Sequence, residues 1–221
     1  MVEQIKRISI RDKKFSGVPS ELSVEDTIHV IIVGIAYVSR IYYVETYDPE
    51  KISSPTCWST DTDAPAANVP EHQRQAGRCL DCTHNIKGSG YGRSRACRFV
   101  QKLAVVLEDD LDTVYQLQLP STSIFGNAVD GQMPLRAYAR YLEAQETPIV
   151  ALTTRIYFDG DSNIPKLFFR PERPLSEQEL AAVTKMVSHS DTVKAITCNV
   201  VPVEDVEVSP FLEVDGFKLD D

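Results

Sequence analysis

The sequence lacks a long apolar run. Its longest, over residues 30–38, has about half of the roughly 20 residues that a membrane-spanning helix needs. The first residues also lack the apolar stretch of a secretory signal, so we expect no signal peptide, no membrane partner and an intracellular location. In a reducing compartment, clustered cysteines are more often metal ligands than disulfides.

Positive charge is scarce overall but locally concentrated. The 23 Lys and Arg residues are outnumbered by 32 Asp and Glu, and the net charge of −9 argues against a simple nucleic-acid coat. Residues 74–102 nevertheless contain seven Lys or Arg and one acid, whereas residues 201–221 contain seven acids and one lysine. A basic patch with a separate acidic tail is more informative than the net charge.

Histidine is rare, and cysteine is clustered. The four histidines are scattered without ligand spacing, but four of the five cysteines fall within one stretch, as Cys57, Cys79-x2-Cys82 and Cys97. Two intervening residues let a tight turn place both sulfurs on one ion, and the flanking cysteines complete a tetrahedron. Because four thiolates leave no open position, we predict a structural Zn²⁺ site and no enzyme activity, which disfavours a zinc-dependent nuclease.

Three alternatives stay open for this cluster. The cysteines could be unrelated free thiols, or a redox pair, although no clear strand-to-helix context surrounds Cys79-x2-Cys82. His72 or His84 could replace one cysteine as a ligand. The fifth cysteine, Cys198, lies in the apolar segment 196–200 and is predicted to be a buried core thiol.

The basic segment combines cations, glycines and aromatic rings. Glycines let a backbone approach phosphates, cations neutralise them, and aromatic rings stack on bases. The phosphate-binding P-loop order is absent, and a solvated flexible loop is the alternative. The residues predicted to bind single-stranded nucleic acid are Arg74, Arg78, Lys87, Tyr91, Arg93, Arg95, Arg98, Lys102, Trp58, Phe99, Tyr42 and Tyr43.

Hydrophobic patterning predicts a strand-rich α+β fold. Apolar and alternating runs indicate strands over residues 5–10, 29–37, 103–107, 113–119, 149–158 and 166–169, and helical spacing indicates a helix over 134–146. A capping box at Ser176 and Glu179 opens a second helix. We expect an OB-like Greek-key barrel or a sheet, with a zinc-stabilised loop insertion and one or two packed helices.

The expected domain boundaries follow from these patterns. Residues 1–200 form one globular domain, with the zinc-binding insertion at about 48–102, and residues 201–221 form an acidic flexible tail. The tail is predicted to dock replication or transcription proteins. The residues expected to do so are Phe211, Phe217, Asp220 and Asp221.

Several motifs resemble those of a bacteriophage family described as single-stranded-DNA-binding proteins. They include Thr56-Cys-Trp-Ser59, Cys79-x2-Cys82 followed by Asn85-Ile-Lys-Gly-Ser-Gly90, and Ser94-Arg-Ala-Cys-Arg-Phe99. Further motifs are Tyr115-Gln-Leu-Gln-Leu-Pro120, Met133-Pro-Leu-Arg-Ala-Tyr138 and Pro165-Lys-Leu-Phe-Phe169. The resemblance spans about residues 29–190. It implies a viral protein in the cytoplasm of an infected bacterium, with single-stranded DNA as ligand, and carries no catalytic residue over.

Two functions from different classes follow. The first is a non-enzymatic binder of single-stranded DNA, with RNA as the other candidate ligand, acting in phage replication, recombination or early transcription; a homo-oligomer is compatible with it. The second is a module that binds a host protein, such as RNA polymerase or a defence factor, through the acidic tail and the surplus negative charge.

Overall fold

The protein combines strands and helices in one α+β fold, as predicted. The structure is a computed structural model that describes residues 5–19, 26–44 and 55–197. The strands are β1 Lys6–Ile8, β2 Thr27–Ile35, β3 Ser39–Tyr42, β4 Cys57–Ser59, β5 Arg98–Leu107, β6 Asp110–Pro120, β7 Leu152–Phe158 and β8 Leu167–Pro174. The α-helices are α1 Ser121–Ile124, α2 Leu135–Ala144, α3 Glu177–Val187 and α4 Ser190–Ile196.

The strands form one mixed sheet with an extension at its side. Six strands follow the order β1-β6-β5-β2-β7-β8, in which β1 is parallel to β6 and the other neighbours are antiparallel. The start of β5 pairs with β3, and β4 pairs with β3. We call β4, β3 and the first residues of β5 the wing. Among the described strands the sheet is open, which is the second of the two expected architectures.

Most elements arise from local sequence signals. The strands β5 and β6 form the predicted hairpin, although its turn is shorter than the acidic run suggested because β6 already begins at Asp110. The predicted capping box is confirmed at the start of α3: the Ser176 hydroxyl accepts from the Glu179 amide, and the Glu179 carboxylate accepts from the Ser176 amide. Both bonds satisfy amide groups that the first helical turn leaves unpaired.

Helices cover both faces of the sheet. On one face, α1 and α2 contribute Ile124, Leu135, Tyr138 and Leu142 to a core with the inward side chains of the central strands. On the other face, the buried side chains of α3 and α4 pack against alternate residues of the same strands. Because β2 and β5 are covered on both sides, they read as nearly continuous apolar runs.

The wing has its own small core. Its buried apolar members are Tyr42, Cys57, Trp58, Val69 and Cys97. This cluster lies under a stretch in which the described residues between β4 and β5 form short 3₁₀ turns and irregular structure but no strand or α-helix.

Among the described residues, no helix combines the length and apolar character needed to cross a bilayer.

Candidate functional site

The wing places two of the cysteines on either side of β3. Cys57 is the first residue of β4 and lies opposite Tyr42 of β3. Cys97 immediately precedes β5, whose first residue Arg98 lies opposite Ile41 on the other edge of β3. These two cysteines are 40 positions apart in sequence, and they are brought together because β3 pairs both with β4, which begins at Cys57, and with β5, which begins directly after Cys97.

A tight turn brings in the other two cysteines. The Cys82 amide donates to the Cys79 carbonyl at 3.4 Å, and a 3₁₀ turn, Thr83–Asn85, follows directly. The turn is fastened at both ends, because the Cys79 amide donates to the Asp63 carbonyl at 2.7 Å and the Cys97 amide donates to the His84 carbonyl at 2.9 Å. These bonds hold the Cys79-x2-Cys82 turn against the wing.

All four thiols line one small cavity. They are buried, with 7–9% of each residue exposed, and none forms a disulfide. The cavity volume is about 20 Å³, room for about one water-sized particle. Its walls are formed by Arg40, Tyr42, Cys57, Trp58, Ser59, Pro65, Gln75, Ala76, Arg78, Cys79, Cys82 and Cys97.

This donor set fits a thiolate-binding metal in chemistry and number. Four soft sulfur ligands and a cavity for one particle match the requirements of a closed tetrahedral zinc site. Among the described residues, however, no three Cys, His, Asp or Glu side chains already form a metal-ligand group. Binding of zinc would place all four sulfurs at the usual Zn–S distance of about 2.3 Å from one ion.

Burial disfavours the thiolate form of two of the four cysteines, of which Cys79 belongs to the Cys79-x2-Cys82 pair. Burial raises the pKa of the Cys97 thiol to about 11, against the opposing effect of the Arg40 charge. Burial also raises the pKa of Cys79, although the Ser59 hydroxyl and Arg40 act in the opposite direction. Redox-active Cys-x-x-Cys motifs have the reverse property, a depressed thiol pKa.

The two histidines near the cluster do not line the cavity. The His84 ring stacks on Tyr42, with centroids 4.0 Å apart, and its Nε2 lies 3.1 Å from the Gln75 Oε1. His72 is exposed on a 3₁₀ turn, Glu71–Gln73. The geometry therefore favours the four-cysteine set over the alternatives in which a histidine replaces a cysteine.

Sequence reasoning missed Arg40, which belongs to the cavity wall. Only 6% of the residue is exposed, and its guanidinium lies 4.0 Å from the centroid of the Phe99 ring. Its Nη1 donates to the Asn85 side-chain oxygen, whereas its buried Nε has no hydrogen-bond partner in the portion of the chain that is described. No sequence signal singled it out, because the short strand β3 was not resolved from the mixed aromatic segment around it.

The predicted base-stacking residues divide by burial. Trp58 is 8% exposed, and its Nε1 donates to the Asn68 side-chain oxygen at 3.1 Å. Tyr42 is 9% exposed beneath the His84 ring, and half-buried Phe99 packs edge-on against Phe125. These three rings pack within the wing and its surroundings. Tyr43, by contrast, is 40% exposed.

Several of the predicted phosphate-binding cations are engaged inside the protein. Arg74 donates from its guanidinium to the carbonyls of Val69 and Ala67, at 3.1 and 2.9 Å. Half-buried Arg95 donates from Nε to the Asn85 carbonyl at 2.6 Å. Lys102 donates from Nζ to the Thr197 carbonyl at 3.0 Å. Arg78 forms an ion pair with Asp63, with 3.9 Å between its Nη2 and the Asp63 Oδ1.

The remaining predicted cations lie on the outer surface of the loop. Lys87, Arg93 and Arg98 are exposed, and no carboxylate of the described residues forms an ion pair with them. Between the first two, Tyr91 is 96% exposed at a turn closed by the Ser94 amide, which donates to the Tyr91 carbonyl at 3.1 Å. Gly92 has a φ of 63°, the left-handed conformation that this turn requires.

The predicted tail site lies outside the described residues. Phe211, Phe217, Asp220 and Asp221 belong to the predicted partner-binding tail, and Cys198 was the predicted core thiol.

No family model, curated protein or solved structure matches the chain. The resemblance to the phage family stays a prediction, and the geometry of the wing and its loop carries the functional argument.

Proposed function

We propose that the protein binds single-stranded nucleic acid through the loop between β4 and β5, and that a structural Zn²⁺ held by Cys57, Cys79, Cys82 and Cys97 orders this loop. The observation that carries the proposal is Tyr91, an aromatic ring that is 96% exposed between Lys87 and Arg93, two exposed cations that form no ion pair within the described part of the chain. An exposed ring beside cations is the combination that single strands use, because bases stack on the ring while phosphates are neutralised. Single-stranded DNA is the proposed ligand, and no enzyme activity is proposed.

The test of nucleic-acid binding is a fluorescence-anisotropy titration of zinc-loaded protein with a labelled oligo-dT at low salt. Tyr91→Ala should weaken binding by about 1–3 kcal/mol, the usual contribution of one stacked base. Tyr141→Ala is the matched control, because it removes another exposed tyrosine, on α2, outside the loop. Absence of binding by the wild type, or equal losses in both variants, would refute the proposal.

The metal is tested separately. We expect about one zinc per chain by elemental analysis, and Cys79→Ser should abolish stoichiometric binding. Removing zinc with a chelator should make residues 57–97 susceptible to proteolysis, since the wing core of five buried residues is small. Cys198→Ser controls for the loss of a thiol outside this stretch. Zinc-free wild-type protein with a protected loop would contradict the structural role.

Exposed apolar side chains on the same loop favour protein binding as the second candidate. Leu80 and Ile86 are 70% and 62% exposed. Replacing both with serine should leave oligonucleotide binding intact if the ligand is nucleic acid. A pull-down from host lysate with the full chain and with a chain lacking residues 203–221 provides the comparison. A partner lost in these variants, together with absent oligonucleotide binding, would favour the protein-binding function.

A further inference from the structure

A buried cation lies beside the four thiols, and the residues that the structure describes provide no counter-charge for it. Arg40 lines the cavity and is 6% exposed, so water does little to stabilise its charge. Its contacts are neutral: the Asn85 amide oxygen accepts from Nη1, and the Phe99 ring lies against the guanidinium. Burying an uncompensated charge is costly, and neutral partners offset only part of this cost.

The cavity contains no carboxylate that could balance this charge. Asp and Glu are absent from its walls, and no ion pair joins Arg40 to a carboxylate of the described residues. Of the lining side chains, the cysteines are those that become anions when they bind a metal. Four thiolates around one Zn²⁺ carry a net charge of −2, which a neighbouring cation would stabilise.

We propose that Arg40 is the charge-compensating residue of this metal site, where its buried guanidinium balances the surplus negative charge of the zinc–thiolate group. The inference rests on the zinc site proposed above. It assigns Arg40 a positioning role: the residue is not a ligand, but it stabilises the ligands in their anionic form. The unpartnered Nε supplies a donor for a thiolate sulfur, since it is buried in the wall of the same cavity.

The test is zinc affinity, measured by competition with a chromophoric chelator, together with the absorption spectrum of the cobalt-substituted protein. Arg40→Met keeps a long side chain but removes the charge, and should weaken zinc binding about 10–100-fold, as loss of an outer partner of metal ligands commonly does. Arg78→Met is the matched control, because Arg78 lines the same cavity but its side chain is 61% exposed. It should change the affinity no more than about threefold, since solvent screens exposed charges.

Arg40→Lys separates charge from shape. It retains the cation and should recover most of the affinity, whereas a loss as large as that of Arg40→Met would overturn the inference. If Arg40→Met does not fold, Arg40→Gln takes its place, because its amide can still bond to Asn85. Wild-type affinity in the uncharged variants would also overturn the inference.

The proposed functions fail in distinguishable ways. A wild-type chain that binds no zinc would overturn the metal site and the role of Arg40 together. A chain that binds zinc with the expected dependence on residue 40, but binds no oligonucleotide, would overturn the nucleic-acid function alone.

Discussion

The salt dependence of oligonucleotide binding is the sharpest measure of what the exposed cations do. The perturbation is the triple variant Lys87→Gln, Arg93→Gln and Arg98→Gln. All three side chains are exposed and unpaired among the described residues, so the substitutions should leave the fold intact and each should alter stability by no more than about 0.5 kcal/mol. Their effect should appear in binding.

The magnitude follows from the number of cations removed. Each phosphate contact on a single strand contributes about 0.7 to the slope of log affinity against log salt, so three lost contacts reduce the slope by about 2. Between 50 and 200 mM salt, the ratio of wild-type to variant affinity should therefore shrink by about 20-fold. The assay is an anisotropy titration with oligo-dT at four or more salt concentrations.

A matched control separates the effect of cations in the loop from the effect of the net charge. The variant Arg7→Gln, Arg170→Gln and Lys185→Gln removes two arginines and one lysine that are exposed outside the loop, and lowers the net charge of −9 by the same three units. Its salt slope should stay near that of the wild type. If both triple variants lose the same slope, the attraction comes from the overall charge, and the argument for a loop site is refuted.

Three further predictions concern the fold. Tyr138→Phe should cost about 1–3 kcal/mol in urea unfolding, because the buried Thr154 hydroxyl loses its 2.8 Å partner, and adding Thr154→Val should recover most of the loss. Gly34→Ala should destabilise by about 1–3 kcal/mol in the same assay, because the new Cβ would lie 2.9 Å from Thr192 Cγ2 on α4. Glu179→Gln should flatten the acid dependence of thermal stability, because hydrogen bonds lower the pKa of Glu179 from 4.5 to about 2; this stabilisation is present above pH 4.5 and is lost as the pH falls towards 2.

Controls for these predictions are available in the same chain. Gly77→Ala places its Cβ in open space and should be nearly neutral, so equal effects at the two glycines would argue against the contact with α4. Glu177→Gln alters an acid in the same helical turn that makes no capping-box bond, and should preserve the acid dependence. A double variant at Tyr138 and Thr154 that is no more stable than Tyr138→Phe would show that the hydroxyl pair is not the source of the loss.

Elements whose signals are local were predicted from the sequence. The β5–β6 hairpin, helix α2 and the capped helix α3 are each specified by the residues within them, through alternation, helical spacing or a cap. The strands β3 and β4 were missed because they have four and three residues and are defined by pairing across the chain. The seven-residue helix α4 was missed as well; its close packing against Gly34 of β2 is a tertiary effect.

The cluster of four cysteines could be predicted from spacing. Which of the surrounding cations and aromatic rings are buried, and which are exposed, could not. In the sequence, Arg93 and Arg95 are equivalent cations, and Trp58 and Tyr91 are equivalent aromatics. In the structure, Arg95 is bonded to the loop backbone and Trp58 is buried, whereas Arg93 and Tyr91 face solvent. Burial depends on which strands enclose the loop, and those are the strands that local patterns do not reveal.

The position of β3 links the proposed metal to the proposed binding surface. Cys57 begins β4 and Cys97 directly precedes β5, the two strands that flank β3, so an ion shared with Cys79 and Cys82 would cross-link both edges of β3 and close the loop that carries Tyr91. Such a constraint reduces the conformations that the free loop can sample, and so reduces the entropy lost when it orders on a ligand. A structural metal would therefore increase affinity for a single strand without touching it, and metal removal and Tyr91→Ala should weaken binding by different routes.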